Sequence, residues 1–189
     1  MPASSIKRAC MIALSCFGLL CYLTAGVGSG QTEPESMVSD SRYGSESNTM
    51  PTDVHLFFTD DRNYFLKAEK QTLPLTGDPV TDGRRIIDQL LQGPKEGLHR
   101  IIPDATQVRS FFVTPDGTAY ADFSESLRDK HPGGSRTELL TVFSIVNSLI
   151  LNIPDIRQVM ILIEGQETLT LAGHIDTRYP YKADMLLIR

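Results

Sequence analysis

The chain of 189 residues has no tryptophan, and its three cysteines, Cys10, Cys16 and Cys21, all lie near the N-terminus. Beyond Cys21 there is neither a disulfide nor a catalytic thiol, so the body of the protein suits an oxidising or a reducing compartment equally. Basic runs are also missing. Lys and Arg number 18 against 23 Asp and Glu, for a net charge of -5. Scattered cations on an acidic chain lack the electrostatic footprint of a nucleic-acid binder. The four histidines, His55, His99, His131 and His174, stand far apart. None has the H-x-x-x-H spacing of a metal pair, so no metal and no cofactor are expected. No serine sits in a G-x-S-x-G elbow, and no internal repeat is visible.

What is present begins with an apolar leader. Lys7 and Arg8 precede a run of apolar and small residues that ends at Gly30. These are the parts of a secretory signal, and they predict export. Three fates are open for residues 1–30: cleavage after Gly30, retention as a membrane anchor, or lipid attachment at a cysteine. Neither Cys16 nor Cys21 has a complete lipobox before it. Residues 31–51 are rich in Ser, Glu, Thr and Pro and nearly empty of large apolar side chains. That composition predicts a flexible linker. Residues 52–189 then form the folded domain.

This domain is organised around the stretch SRTELLTVFSIVNSLILNIPDIRQVMILIEG, from Ser135 to Gly165. Ser135 and Glu138 have the spacing of a capping box, which starts a helix at Ser135. From Leu139 to Ile153 no residue is charged, while Thr137, Thr141, Ser144, Ser148 and Asn152 recur every three or four positions. The result is a thin polar stripe on an apolar cylinder, too short to span a bilayer and best read as a buried helix. Pro154 ends it. The run Val159–Ile163 is apolar on both parities and predicts a strand covered on both faces.

The other elements are read in the same way. A strand opens at Asp53, and residues 64–72 return as its partner with Lys67, Glu69 and Gln71 on a wet parity. Thr81 or Asp82 caps a first helix ending before Gly93-Pro94. Val108–Val113 and Thr118–Phe123 flank a Thr-Pro-Asp-Gly turn and predict a hairpin, with Asp122 on its wet side. Residues 168–172 suggest one more short strand. The fold class is therefore α+β, a mixed β-sheet with two helices packed on one face.

Chemistry is sparse. Glycan-cleaving enzymes need two carboxylates across a cleft. Asp122 and Glu125 are the best-placed pair for such work on peptidoglycan, with Glu164 and Asp176 next. The plainer reading gives Asp122 a solvated strand position, Glu125 a turn, and Asp176 a turn or an ion pair with Arg178. Gly133-Gly134-Ser135 could hold an anion at a helix N-terminus, but the capping box explains the same residues. No catalytic residue is assigned.

Several short motifs, in order, resemble one known family. They are Leu90-Leu91-Gln92-Gly93-Pro94, Ile102-Pro103-Asp104-Ala105-Thr106-Gln107-Val108, Ala119-Tyr120-Ala121-Asp122-Phe123-Ser124, Pro154-Asp155-Ile156-Arg157-Gln158-Val159 and Ile163-Glu164-Gly165. Together they resemble the GerMN domain over residues 53–181. The resemblance implies a small α+β fold akin to the ring-building modules of bacterial secretion and sporulation channels, held at the envelope by a lipid or an N-terminal anchor. It implies no catalytic residue. One domain stands here where the family's namesake has two. The expectation is a non-enzymatic, exported envelope module whose partners are envelope proteins or itself, with membrane contact through the N-terminal segment alone. The alternative is a peptidoglycan-binding or hydrolysing protein using Asp122 and Glu125.

Overall fold

The computed structural model describes residues 49–189, and Gly44–Arg189 form one compact unit. The leader and most of the linker lie outside the described residues. Strands β1 (Met50–Thr59) and β2 (Leu66–Leu75) pair antiparallel, with Val54 opposite Gln71. Helix α1 (Pro79–Gln92) follows, then strands β3 (Val108–Val113) and β4 (Thr118–Phe123), a short helix α2 (Ser126–Asp129), helix α3 (Ser135–Ile150) and strand β5 (Gln158–Ile163). A 3-10 turn at Met185–Leu187 closes the chain.

The class is α+β, as the sequence indicates, but the strands form two sheets. One is the β1/β2 hairpin; the other has the order β3-β4-β5, with β3 antiparallel and β5 parallel to the central β4. The reason lies in the polar stripe of α3. Ser148 Oγ accepts the Phe57 N–H at 3.0 Å, and Ser144 Oγ donates to the Phe57 carbonyl at 2.5 Å. Asn152 does both for His55, and the backbone of His99 does both for Thr59. Every outward backbone group of β1 from His55 to Thr59 is thus satisfied by side chains and one loop residue. An obligatory donor or acceptor needs some partner, and here a helix supplies what a neighbouring strand otherwise would.

The rest of α3 is apolar and deeply buried. Leu140, Val142, Ile145, Val146 and Leu149 have no exposed surface, and they pack with Leu56, Phe58, Ile86, Ile87 and Phe123 into the core. No helix among the described residues is long and apolar enough to cross a membrane. At α1 the cap is Asp78, whose Oδ2 accepts the Thr81 N–H at 2.7 Å, with Pro79 in the first turn. Neither Thr81 nor Asp82 is the cap, because the chain turns into the helix earlier and Asp82 faces inward. Gly83 lets α1 approach β3 closely: a Cβ there would stand 2.3 Å from the Phe111 ring.

Strand β5 is buried on its inner face and, on its outer face, at Met160 but only half-buried at Leu162, and it lies at the sheet's end. Its outer edge is bonded at two positions: Tyr181 exchanges two backbone bonds with Val159 at 2.8 Å, and Gln166 two with Ile163 at 3.0 Å. The expected strand at residues 168–172 reduces to a single bridge between Thr170 and Asp176, because the loop that follows is held by a side chain and not by a ladder.

Candidate functional site

Among the described residues, four carboxylates are buried: Glu69, Asp82, Asp122 and Glu138. An ionised carboxylate out of water must be hydrogen-bonded, and each of these binds the backbone of a loop. Glu69 accepts from the N–H groups of Lys95 and Glu96, and Asp82 from those of Thr76 and Gly77. The expectation that Glu69 and Gln71 face water is therefore corrected: both are buried, since the loop after α1 folds over that face of β2.

Glu138 makes the densest of these sites. It has no exposed surface. Its Oε2 accepts from the N–H groups of Ala172, His174 and Ile175 at 3.0 to 3.1 Å, and Oε1 lies 2.6 Å from His174 Nδ1. The capping box is absent. Gly134, at φ 91, is the N-cap of α3 and no side chain caps the helix, because Glu138 turns away to the 172–175 loop. Burial pushes the Glu138 carboxyl up, but the His174 ring and the three N–H donors outweigh it and hold it at about 2.

The best-placed acid pair is divided between two environments, one buried and one exposed. Asp122 is buried, not solvated. Its Oδ1 accepts the Gly165 N–H at 2.7 Å, and its Oδ2 lies 3.2 Å from Arg109 Nη1. Arg109 also reaches Glu164 at 3.3 Å, and Glu164 Oε1 accepts the Glu125 N–H at 3.0 Å. The network ties the end of β4 to the turn after β5, engaging both oxygens of Asp122. The Glu125 side chain is exposed and stands outside this network. Asp176 forms an ion pair with Arg178 and accepts its N–H; these two contacts hold its carboxyl at about 2.

The histidines do not converge. His131 Nδ1 accepts the Gly133 N–H at 3.0 Å, so Nε2 carries the proton and donates to Thr141 Oγ1 at 2.9 Å. Burial lowers the pKa of this ring. The Gly133 donor proposed for an anion is thus already used. Among the described residues no group of three or more His, Cys, Asp or Glu is arranged to hold a metal ion.

The remaining feature is a surface. Lateral neighbours in a sheet share a face, so Phe112, Tyr120 and Met160 form one row, and Asp122 and Leu162 lie in the next. The opposite face, with Ala119, Ala121, Phe123 and Ile161, is buried. On the outer face Phe112 is 45% exposed and stacks on Tyr120, with centroids 4.7 Å apart and planes 8° from parallel. Tyr120 and Leu162 are half-buried. The sequence pattern marks Tyr120 and Asp122 as wet and Val159–Ile163 as apolar on both faces, either central or part of a contact surface; the register of the parallel β4/β5 pair sets Met160 beside Tyr120 and Leu162 beside Asp122.

A two-sheet α+β module whose buried acids anchor loops, and whose outer sheet face leaves Phe112 exposed and Tyr120 and Leu162 half-buried beside a buried Met160, defines the class. Residues 55–169 match the Germane family, described as sporulation and spore germination, and the chain belongs to that family. Among solved structures, the chain is similar to the first GerMN domain of the sporulation protein GerM from Bacillus subtilis. The identity is 23%, the TM-score 0.53, and the match covers 71% of this chain and 98% of that one. A protein of Clostridium perfringens described as a candidate lipoprotein matches at 26% identity and TM-score 0.51, over 71% of this chain and 88% of that chain. The tandem GerMN domains of GerM match at 21% and 0.52, over 72% of this chain but only 46% of theirs. No curated protein matches.

Proposed function

We propose that this chain is a non-catalytic module of the bacterial cell envelope that works by binding protein through the outer face of its three-stranded sheet. The observation that carries this reading is the contrast between its acids and its apolar surface. Asp122 is committed to Gly165 and Arg109, while Phe112, Tyr120 and Leu162 present accessible apolar area on a rigid sheet. Exposed apolar patches of this kind mark interaction sites. Family membership supports a sporulation- or germination-related role, and the lipoprotein description of the Clostridium perfringens relative supports an extracytoplasmic location. The N-terminal leader would supply the membrane attachment.

The test pairs two assays on the full chain. Incubation with purified peptidoglycan should release no muropeptide, and Glu125→Gln should behave like the wild type. Affinity purification from envelope extracts should recover a discrete protein partner that Tyr120→Lys loses while keeping its fold. Muropeptide release abolished by Glu125→Gln would overturn the proposal, as would partner recovery unchanged by Tyr120→Lys.

A further inference from the structure

The edges of the two sheets are treated very differently. The β1 edge is closed from His55 to Thr59 by Asn152, Ser148, Ser144 and His99, and the β5 edge is taken at Val159 by Tyr181 and at Ile163 by Gln166. On β2, His55 and Phe57 of the partner strand face α3, so alternation turns Ala68, Lys70 and Thr72 outward. That edge is guarded. Arg189 takes the Leu66 carbonyl, Pro74 has no N–H and gives its carbonyl to Arg85, and Lys67 and Lys70 are exposed along it. Lysine and proline are the usual means of keeping a second strand away.

Strand β3 has no such protection. Thr114 donates to the Thr118 carbonyl at 2.9 Å. By alternation Phe112 pairs with Tyr120 through the ladder, while the N–H and C=O of Phe111 and Val113 point away from β4. No described residue bonds those four groups. Between them projects Phe112, one ring face stacked on Tyr120.

We propose that β3 is a self-pairing edge: a second copy of this chain docks antiparallel along it, about a two-fold axis at Phe112. The proposal rests on the reading of the chain as an interaction module and gives that module a partner. An antiparallel edge is complementary to itself, so a two-fold at Phe112 lets Phe111 and Val113 exchange four backbone bonds with Val113 and Phe111 of the other copy. Phe112 then meets its own counterpart in a non-hydrogen-bonded pair, where side chains approach most closely. The ring stack extends to four: Tyr120, Phe112, and the same two from the second copy. Charge agrees. Ser110 to Pro115 is uncharged, with Arg109 at one end and Asp116 at the other, and the antiparallel arrangement lays unlike ends together. The same operation on β2 would bring lysines together. So short an edge buries far less than the roughly 800 Å² per partner of a standard interface, which makes the pairing weak and dependent on concentration.

The compact unit Gly44–Arg189 has no cysteine, so a single thiol reports the geometry cleanly. Phe112→Cys places two thiols across the axis within disulfide reach, and a covalent dimer should form at least about tenfold faster than with Lys70→Cys on the guarded edge. By light scattering, the wild-type mass should rise with concentration. Val113→Pro, which removes an outward N–H and no internal bond, should remain monomeric. Equal cross-linking rates for the two thiols would overturn the self-pairing, as would a strictly monomeric wild type up to about 1 mM. If self-pairing fails but Tyr120→Lys still abolishes recovery of a different protein from the envelope, the interaction-module reading survives; if that recovery is also unaffected, both are wrong.

Discussion

Asn152 holds the backbone of His55 from both sides: its Oδ1 accepts the His55 N–H at 2.9 Å and its Nδ2 donates to the His55 carbonyl at 2.8 Å. One amide side chain does what a neighbouring strand would do. Ser148 and Ser144, one and two turns earlier, repeat the arrangement on Phe57. These contacts explain why a helix so apolar keeps a row of hydroxyls and an amide, and why β1 does not join the larger sheet.

The cost of losing them should follow burial. Ser148→Ala leaves the buried Phe57 N–H without a partner and should cost about 1–3 kcal/mol. Asn152→Ala, at a site that water can reach, should cost nearer about 1 kcal/mol. Urea denaturation of the unit Gly44–Arg189 checks both values. Equal and negligible effects would mean that the stripe does not close the edge.

Glu138 gives a pH dependence with a defined sign. Its folded pKa, about 2, lies below the ordinary 4.5. The stability it contributes is therefore present above about pH 4.5 and is lost as pH falls toward 2. Glu138→Ala strands three loop N–H groups and should cost about 3 kcal/mol or more at pH 7. The mutant should also lose much of the acid sensitivity of the wild type. Chemical denaturation at pH 7 and pH 3 measures the two differences.

Burial likewise keeps His131 neutral, pushing its pKa below the ordinary 6.5. Folded-state stability from this residue is present above that value and declines as pH falls through it toward the lower folded pKa. Protonation would set a second N–H of the ring against the Gly133 donor. An NMR titration of the His131 ring should give a midpoint below 6.5; a midpoint above it would contradict the lowering by burial.

Gly83→Ala should destabilise the fold although alanine favours helices. The new Cβ would lie 2.3 Å from a carbon of the buried Phe111 ring, so α1 or β3 must shift. A cost of about 1–3 kcal/mol is expected from overpacking. Phe111→Leu in the same chain should recover part of it, and thermal unfolding of the single and double variants tests that coupling.

Much of the fold was legible in local pattern. The hairpin at residues 108–123 was marked by a Thr-Pro-Asp-Gly turn, and α3 begins at Ser135 as its sequence indicates. Side-chain partners across long separations were not legible. Glu138 reads locally as half of a capping box, yet its partners are 34 to 37 residues away. Asp122 and Glu69 alternate like solvated residues, and only the loops that fold over them bury them. The polar stripe of α3 was visible as a pattern, but its role depended on which strand edge it met. Four internal acids without water, each requiring donors, were the physical signal that loop backbones had to converge on them. Sequence alone does not say which loops.

Site-specific photo-cross-linking of the full chain in its native envelope separates a protein-binding sheet face from a glycan-binding acid site. A photoreactive residue replaces Tyr120 on the outer sheet face in one variant and exposed Glu125 in another. Discrete protein adducts from position 120, including a dimer of the chain itself, with none from position 125, are expected. Adducts confined to position 125, or glycan adducts in place of protein, would exclude a protein-binding sheet face.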